Sequence, residues 1–373
     1  MTERHLHIIT LNIPFPPDYG GIIDTYYRIK TLHELGISIH LHCYEYGRSH
    51  SKELAEICET VNYYKRRSSF LSTWTFLPEI TESRKSKKLL NDLLADKHPI
   101  LFDGLHTTFF LNHPGLSDRK KYVRAHNIEH EYYLNLARLE PNYFKKIYFL
   151  AESKRLKRYE RVLYCADHVL PVSDTDFSYF SGKYNNAIQI RPFHPFKEVK
   201  SIPGRGDYVI YHGDLSIKEN EAIVEKLVRN IFSHTNIKFV IAGKNPSSRL
   251  MNLVMKYPLI KIIPNPDNEQ MNDLIKNAHI QLMLSDTTTG FKVKPLIAVY
   301  SGRHCVVNSN MIHGTGLEEI CSVIDSEEEL IIKLQELMKL EFTSGMIEKR
   351  KIFLSGFYSI CENGRRIIEL IFS

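Results

Sequence analysis

The feature that most limits what this chain can fold into is a rhythm that runs, breaks and runs again. Short apolar runs rich in β-branched and aromatic residues alternate with longer amphipathic stretches, the pattern of parallel strands joined by crossover helices. In the first half, strands are expected at 6–11, 37–42, 60–64, 121–125 and 168–172, with helical stretches at 22–35, 84–95 and 128–164. Between 192 and 206 the pattern stops, where Pro192, Pro195, Pro203, Gly204 and Gly206 stand among charged residues as in a linker. It then restarts, with strands expected at 208–213, 237–242, 259–263, 279–284 and 304–307. Helices are expected at 217–232, 246–256, 267–277, 292–301 and 326–339. This reads as an α/β chain of two Rossmann-like doubly wound domains, 1–194 and 206–355, with a last helix in 356–373 crossing back to the first. Two such sheets are expected to leave a cleft at the carboxyl ends of their strands, where open α/β sheets bind ligands.

A length of 373 residues suits two domains, and 43% hydrophobic with 25% charged residues suits a packed core rather than disorder. The net charge of +6 sits mainly in the first 195 residues, which fits either an anionic acceptor or membrane surface or an ordinary solvated face. The six cysteines are scattered, with no CxxC pair and no histidine at zinc-site spacing, so they read as reduced, mostly buried thiols. The N-terminus enters a strand without a basic leader, and no apolar run approaches the roughly 20 residues that span a bilayer. A cytoplasmic protein is expected, with peripheral contact at the inner face of the membrane as a further option. The stretch Lys145–Arg161, apolar on one stripe and basic elsewhere, reads first as a helix with a solvated face and second as a membrane binder. Basic and aromatic residues are too dispersed to indicate a nucleic-acid partner.

Three segments carry chemistry. In Pro14-Phe-Pro-Pro-Asp18-Tyr19-Gly20-Gly21, prolines stiffen a loop, and the paired glycines let backbone amides approach an anion at a helix start. The pattern is not GxGxxG, and no acidic residue ends the second strand, which counts against a dinucleotide cofactor. In Arg124-Ala-His126-Asn127-Ile-Glu129-His130, titratable side chains gather at a strand's carboxyl end. There His126 can bond sugar hydroxyls or take up a proton near neutral pH, and Asn127 can cap the next helix instead. In Ser285-Asp286-Thr287-Thr288-Thr289-Gly290-Phe291-Lys292-Val-Lys294-Pro295, small polar residues precede a helix, and two lysines oppose its dipole. That placement favours a bound anion such as a diphosphate leaving group. Asp174-Thr-Asp176 spells D-x-D, but Ser173 before it makes a helix cap the better reading. Gly213–Asn220 puts polar groups at another strand end. No Walker loop, nucleophile elbow or metal cluster is visible.

These segments, in this order, resemble the GT-B glycosyltransferases of family 4, the "group 1" transferases of polysaccharide and glycoconjugate synthesis. Pro-Pro-Asp-Tyr-Gly-Gly is similar to that family's first loop and Arg-Ala-His-Asn-Ile-Glu-His to its histidine segment. Gly290-Phe-Lys-Val-Lys-Pro-Leu-Ile-Ala298, followed by Ser301-Gly-Arg-His-Cys-Val-Val307, is similar to its donor segment and the turn and strand after it. The resemblance implies a metal-independent, retaining transfer from a nucleotide diphosphate sugar to a polysaccharide, lipid-linked or other glycoconjugate acceptor, with no further cofactor. It implies donor contacts from Gly20, Gly21, Thr287, Thr288, Thr289, Gly290, Phe291, Lys292 and Lys294. Asp18, Tyr19, Arg124, Asn127 and Glu129 fall on the acceptor side, with His126 and Asp286 as the catalytic candidates. The family's two glutamates, eight positions apart, fall here on Thr289 and Ile297, and Asp286 is the carboxylate nearest the first of them. Two other readings therefore stay open: a catalytically silent GT-B subunit that binds a glycan or a partner transferase, and a nucleotide-sugar epimerase.

Overall fold

The computed structural model describes residues 3–67, 76–288 and 290–373. The chain divides into two compact units, one containing Met1–Pro195, Thr289–Phe291 and Tyr358–Ser373, the other Phe196–Thr288 and Lys292–Phe357. Each is built on a six-stranded parallel sheet.

In the first unit the strands are β1 (Arg4–Thr10), β2 (Ile37–Glu45), β3 (Thr60–Lys65), β4 (Ile100–Asp103), β5 (Lys121–Ala125) and β6 (His168–Pro171). Their spatial order is β3-β2-β1-β4-β5-β6, the doubly wound order whose direction reverses between β1 and β4. The helices are α1 (Gly20–Glu34), α2 (Lys52–Ile57), α3 (Glu79–Glu82), α4 (Lys87–Leu94), α5 (Glu129–Leu139), α6 (Tyr143–Tyr159) and α7 (Asp174–Ser181). Neighbouring strand residues bury on opposite faces. Ile9, Phe102 and Val123 enter one apolar cluster, while Ile8, Leu101 and Tyr122 enter another. Both faces are therefore covered, which is why these strands read as unbroken apolar runs.

The second unit holds β7 (Tyr208–Asp214), β8 (Lys238–Lys244), β9 (Ile260–Pro264), β10 (Ile280–Met283), β11 (His304–Val307) and β12 (Ser322–Val323). Their order is β12-β11-β10-β7-β8-β9, and here the reversal lies between β7 and β10. Its helices are α8 (Lys218–Asn230), α9 (Ser248–Val254), α10 (Asn268–Asn277), α11 (Lys294–Ser301), α12 (Ser309–Ile312), α13 (Glu327–Lys339) and α14 (Ser344–Phe357). The last helix, α15 (Ile360–Phe372), returns to the first unit. There Ile367 and Ile371 complete the cluster around Leu6, Ile8 and Ile39. Its close approach to α1 needs Gly364, because a Cβ there meets Leu35 Cδ1 at 2.7 Å and Thr31 Cγ2 at 3.0 Å.

Many helices open on a side-chain cap. Ser173, Ser247, Asp267 and Ser326 each accept a bond from an amide of the first turn. By contrast α1, α5, α8 and α11, which follow β1, β5, β7 and β10, have no side-chain cap. They start at or beside the two reversal points, where a doubly wound sheet presents its ligand edge. Among the described residues, no helix is long and apolar enough to cross a membrane.

Candidate functional site

In the first unit, polar side chains from α1, β4 and β5 meet beside the reversal point. Asp24 sits one turn into α1, fully enclosed. Its Oδ2 accepts Arg28 Nη1 at 2.7 Å, and its Oδ1 accepts Arg124 Nη2 and the Phe193 amide, both at 2.8 Å. Asp103 ends β4, with Oδ1 accepting Arg28 Nη2 at 2.5 Å and Oδ2 accepting the Thr25 hydroxyl at 2.6 Å. His126 follows β5 directly, with Nε2 2.9 Å from Asp103 Oδ1 and Nδ1 3.8 Å from Asp24 Oδ2. Burial opposes ionisation of both carboxyls. Arg124 and Arg28 outweigh it at Asp24, and Arg28 and His126 at Asp103, so both sit below the usual carboxylate range. The His126 side chain is 12% exposed against 4% or less for Asp24, Asp103, Arg28 and Arg124, so it is the member that reaches solvent. The trio Asp24, Asp103 and His126 lies close enough to hold a cation. With two guanidiniums, a hydroxyl and an amide already on the two carboxylates, it is an ion-pair network that orients one imidazole.

Around it, Asp18 pairs with Arg48, whose guanidinium also lies 5.2 Å over the exposed ring of Tyr19. Tyr19 is the residue before α1, so Gly20 and Gly21 supply its first amides, and a Cβ on Gly21 meets nothing within 4 Å. Two of the residues expected on the acceptor side are enclosed. Arg124 is fully buried, and its guanidinium holds Asp24 and the Ile190 and Arg191 carbonyls, tying β5 to the chain that leaves the sheet. Glu129 is buried too. Burial pushes its carboxyl up to about 8, Asp176 adds to this, and a hydrogen bond from Asn127 opposes it, so it is neutral near pH 7. Asn127 is half-buried and does not cap α5, whose N-cap is Ile128.

In the second unit, the reversal point carries Gly213 and Asp214 at the end of β7 and Ser285–Thr288 after β10. Glu219, in the first turn of α8, organises the latter. Its Oε1 accepts the Ser285 hydroxyl and the Asp286 amide, both at 2.9 Å. The Thr287 amide donates to Ser285 Oγ at 3.2 Å. The Lys292 ammonium stands 3.4 Å from Thr287 Oγ1. The Lys294 ammonium lies over the Tyr211 ring, 5.5 Å from its centroid. It occupies space that only glycine leaves at 213, since a Cβ there comes within 2.8 Å of Nζ. Burial lowers both lysines. Lys294 falls to about 8, with Glu219 opposing the shift and the like charge of Lys292 adding to it. Asp286 is exposed on the rim of a pocket of about 130 Å³, whose walls include Ile223, Leu284, Asn308 and Leu330.

The amide cradle expected from Thr287 to Gly290 takes a different form. Helix α11 starts only at Lys294, so Thr287, Thr288 and Gly290 lie outside its first turn. The Asp286 amide is already engaged by Glu219 of α8, and the Thr287 amide by Ser285 within the loop. Positive charge at this edge therefore rests on the two ammoniums. Gly290, at φ +71°, and Phe291 group with the first unit, whereas Lys292 and Lys294 group with the second. Thr289 lies outside the described residues. His126 and Asp286 belong to different units.

No family model matches the chain. Over 98% of its length it is 25% identical to an uncharacterized 44.6 kDa protein in the cps region of Klebsiella pneumoniae, with 98% of that protein covered. Among solved structures it is similar to TarM, with a TM-score of 0.68 at 9% identity over 100% of this chain and 99% of that one. It is also similar to Anabaena HepE, solved with UDP and glucose, with a TM-score of 0.64 at 10% identity over 98% of each chain. A glycosyltransferase from Rickettsia africae gives 0.64 at 12% identity over 100% and 98%. The fold is GT-B.

In GT-B terms, the residues that sequence reasoning missed are the counter-charges. Asp24, Asp103 and Glu219 position His126 and the Ser285–Thr287 loop. Asp103 alone had a local signal, as an acid closing a short apolar run before a glycine.

Proposed function

We propose that this protein is a retaining glycosyltransferase that moves a hexosyl or related sugar from a nucleotide diphosphate donor to a polysaccharide, lipid-linked or other glycoconjugate acceptor. The observation that carries the reading is the pair of half-buried lysines, Lys292 and Lys294, at the reversal point of the second sheet. Two half-buried ammoniums beside one another, with the Glu219 carboxylate opposing the lowering of both, suit a ligand that carries more than one negative charge, and a diphosphate is the anion that a GT-B transferase handles. The Klebsiella relative's place in a cps region and the UDP-bound HepE structure support the same direction.

In this mechanism the acceptor hydroxyl attacks the anomeric carbon on the face from which the diphosphate departs. The bond from carbon to phosphate oxygen breaks as the new glycosidic bond forms, and a leaving phosphate oxygen takes the hydroxyl proton. Lys292 and Lys294 neutralise the charge that grows on the leaving group, so no divalent cation is required there. In the first unit, His126, held by Asp103, is the side chain offered to a sugar hydroxyl. For a lipid-linked acceptor, the exposed Leu139, Tyr143 and Phe144, beside Lys145 and Lys146, offer a membrane-facing surface.

Thermal shift against UDP, GDP and their sugar conjugates, with and without Mg²⁺, tests the donor site. A metal-independent rise with one nucleotide, absent in Lys292→Ala/Lys294→Ala, is expected. No rise with any nucleotide removes the proposal. One observation favours a second reading, a subunit that binds without turnover. Ile297 packs against the apolar cluster of Ile210, Val240, Ala242 and Ile275, leaving no carboxylate at that position for a ribose. Nucleotide binding with no release of nucleoside diphosphate from any donor, in the presence of acceptor extracts, would select it.

A further inference from the structure

At the amino edge of the first sheet, opposite the edge that holds Asp103 and His126, five imidazoles share one place. His5 and His7 lie on β1, His40 and His42 on β2, and His98 on the segment leading into β4. The pairing of His7 with His40 puts both strands' histidines on the same face. The pairing of His7 with Ile100 brings His98 alongside β1. His7 and His42 are buried and bonded to one another at 2.8 Å, with Asp96 and Tyr64 on their outer nitrogens. His5, His40 and His98 are only half-buried, and each offers a ring nitrogen within 4.8 Å of the other two.

We propose that His5, His40 and His98 form a binding site for a first-row divalent cation of the Zn²⁺ type, coordinated by three imidazole nitrogens with the fourth position left to water. The geometry of the outer shell argues for it. A ligating histidine is normally fixed by a bond on its other ring nitrogen, often to a carboxylate. Here His5 Nε2 faces Glu3 Oε2 at 3.5 Å and His40 Nδ1 faces Thr60 Oγ1 at 3.1 Å. That leaves His5 Nδ1 and His40 Nε2 sharing a hydrogen bond at 3.1 Å, which a bound cation replaces. With zinc–nitrogen bonds of about 2.0–2.1 Å, two tetrahedral ligand atoms stand about 3.3 Å apart, so this pair already has nearly the required edge. The backbone of His98 is anchored by its amide, which donates to Asp96 Oδ1 at 2.9 Å. The His98 ring stacks on those of His5 and His40, with centroids 4.6 and 5.8 Å away, and a side-chain rotation turns its nitrogen, already within 4.8 Å of theirs, into the shell. Three imidazoles without a carboxylate or thiolate ligand suit zinc, copper or nickel over magnesium or calcium.

The test uses full-length protein without a histidine tag, stripped with chelator and titrated with Zn²⁺ by calorimetry and with Co²⁺ by visible absorption. One equivalent per chain is expected, with a rise in Tm and the intense bands of tetrahedral Co²⁺. His40→Gln and His98→Gln should each abolish the bands. Glu3→Gln should weaken binding by about tenfold, as loss of an outer-shell partner does. His234→Gln, on an exposed histidine of the second unit, should leave both readouts unchanged. The Tm of each metal-free variant reports whether it folds. Absence of a stoichiometric site in the wild type, or binding that survives in folded His40→Gln and His98→Gln, overturns the proposal and leaves a proton-sharing stack of imidazoles.

Discussion

Nε2 of His126 stands 2.9 Å from Oδ1 of Asp103, and that same oxygen accepts a 2.5 Å bond from Arg28. One carboxylate thus serves a group that reaches solvent and a cation that never does. The two roles separate on mutation. Asp103→Asn should cost about 3–5 kcal/mol in urea unfolding, the usual result of breaking a buried pair from one side. His126→Asn should leave Tm within a few degrees of wild type and lower sugar transfer by about 10²-fold, as loss of a positioned polar group does. Similar stability losses in both variants would put His126 in the scaffold only.

Lys294 supplies a pH signature. In the free protein burial brings its ammonium down to about 8, whereas a bound diphosphate favours the charged form and raises it. Affinity for the nucleotide is therefore full below pH 8 and falls as pH rises above it, by up to about tenfold per unit while one proton is taken up on binding. Lys294→Arg should flatten that limb. Calorimetric titration between pH 7 and 9.5 reads it directly, and an unchanged slope in the variant would assign the effect elsewhere.

Gly213 and Gly243 give a matched pair of substitutions at neighbouring strand ends. A Cβ at 213 meets the mobile tip of Lys294 at 2.8 Å, whereas one at 243 meets the Gly213 carbonyl oxygen at 1.9 Å. Gly213→Ala should fold and displace the ammonium, weakening nucleotide binding by about ten- to a hundredfold. Gly243→Ala should fail to give folded protein, as circular dichroism and expression yield will show.

Glu129 sets the sign of a stability change. Its carboxyl stands at about 8 in the fold against an ordinary value of 4.5. Between those values the folded state keeps a proton that the unfolded state has released, so stability falls as pH rises through the window. The slope approaches about 1.4 kcal/mol per pH unit for one proton. Glu129→Gln, which keeps the shape without the charge, should gain on the wild type from pH 5 to 8 and run parallel above. Equal Tm curves would place Glu129 in water instead.

Strand and helix periodicity foretold two parallel sheets, because strands buried on two faces must be apolar throughout. It missed β4, and with it Asp103, and it missed the two-residue β12. It fused α5 and α6 into one stretch, although Pro141 and the Asn142 cap divide them. The Lys292 and Lys294 pair was visible because two cations at a helix start violate a local preference. Their counter-charge Glu219 was not, because an acid in a first helical turn obeys one. Asp24 looks equally ordinary, since its importance lies in Arg124, 100 positions on. The histidine trio escapes any spacing rule for the same reason, as strand pairing alone joins His5 to His40.

Helix α15 has a consequence for how the protein is made. Ile367 and Ile371 lie in the same cluster as Leu6 and Ile8, so β1 waits for a helix that starts only at Ile360. The second unit, drawn mostly from residues 196–357, has its sheet complete before residues 360–372 leave the ribosome. The apolar cluster on that face of the first sheet therefore closes only after the second unit has been made, although domains usually fold as they emerge. A chain truncated after Phe357 should keep a protease-resistant second unit and lose protection in the first.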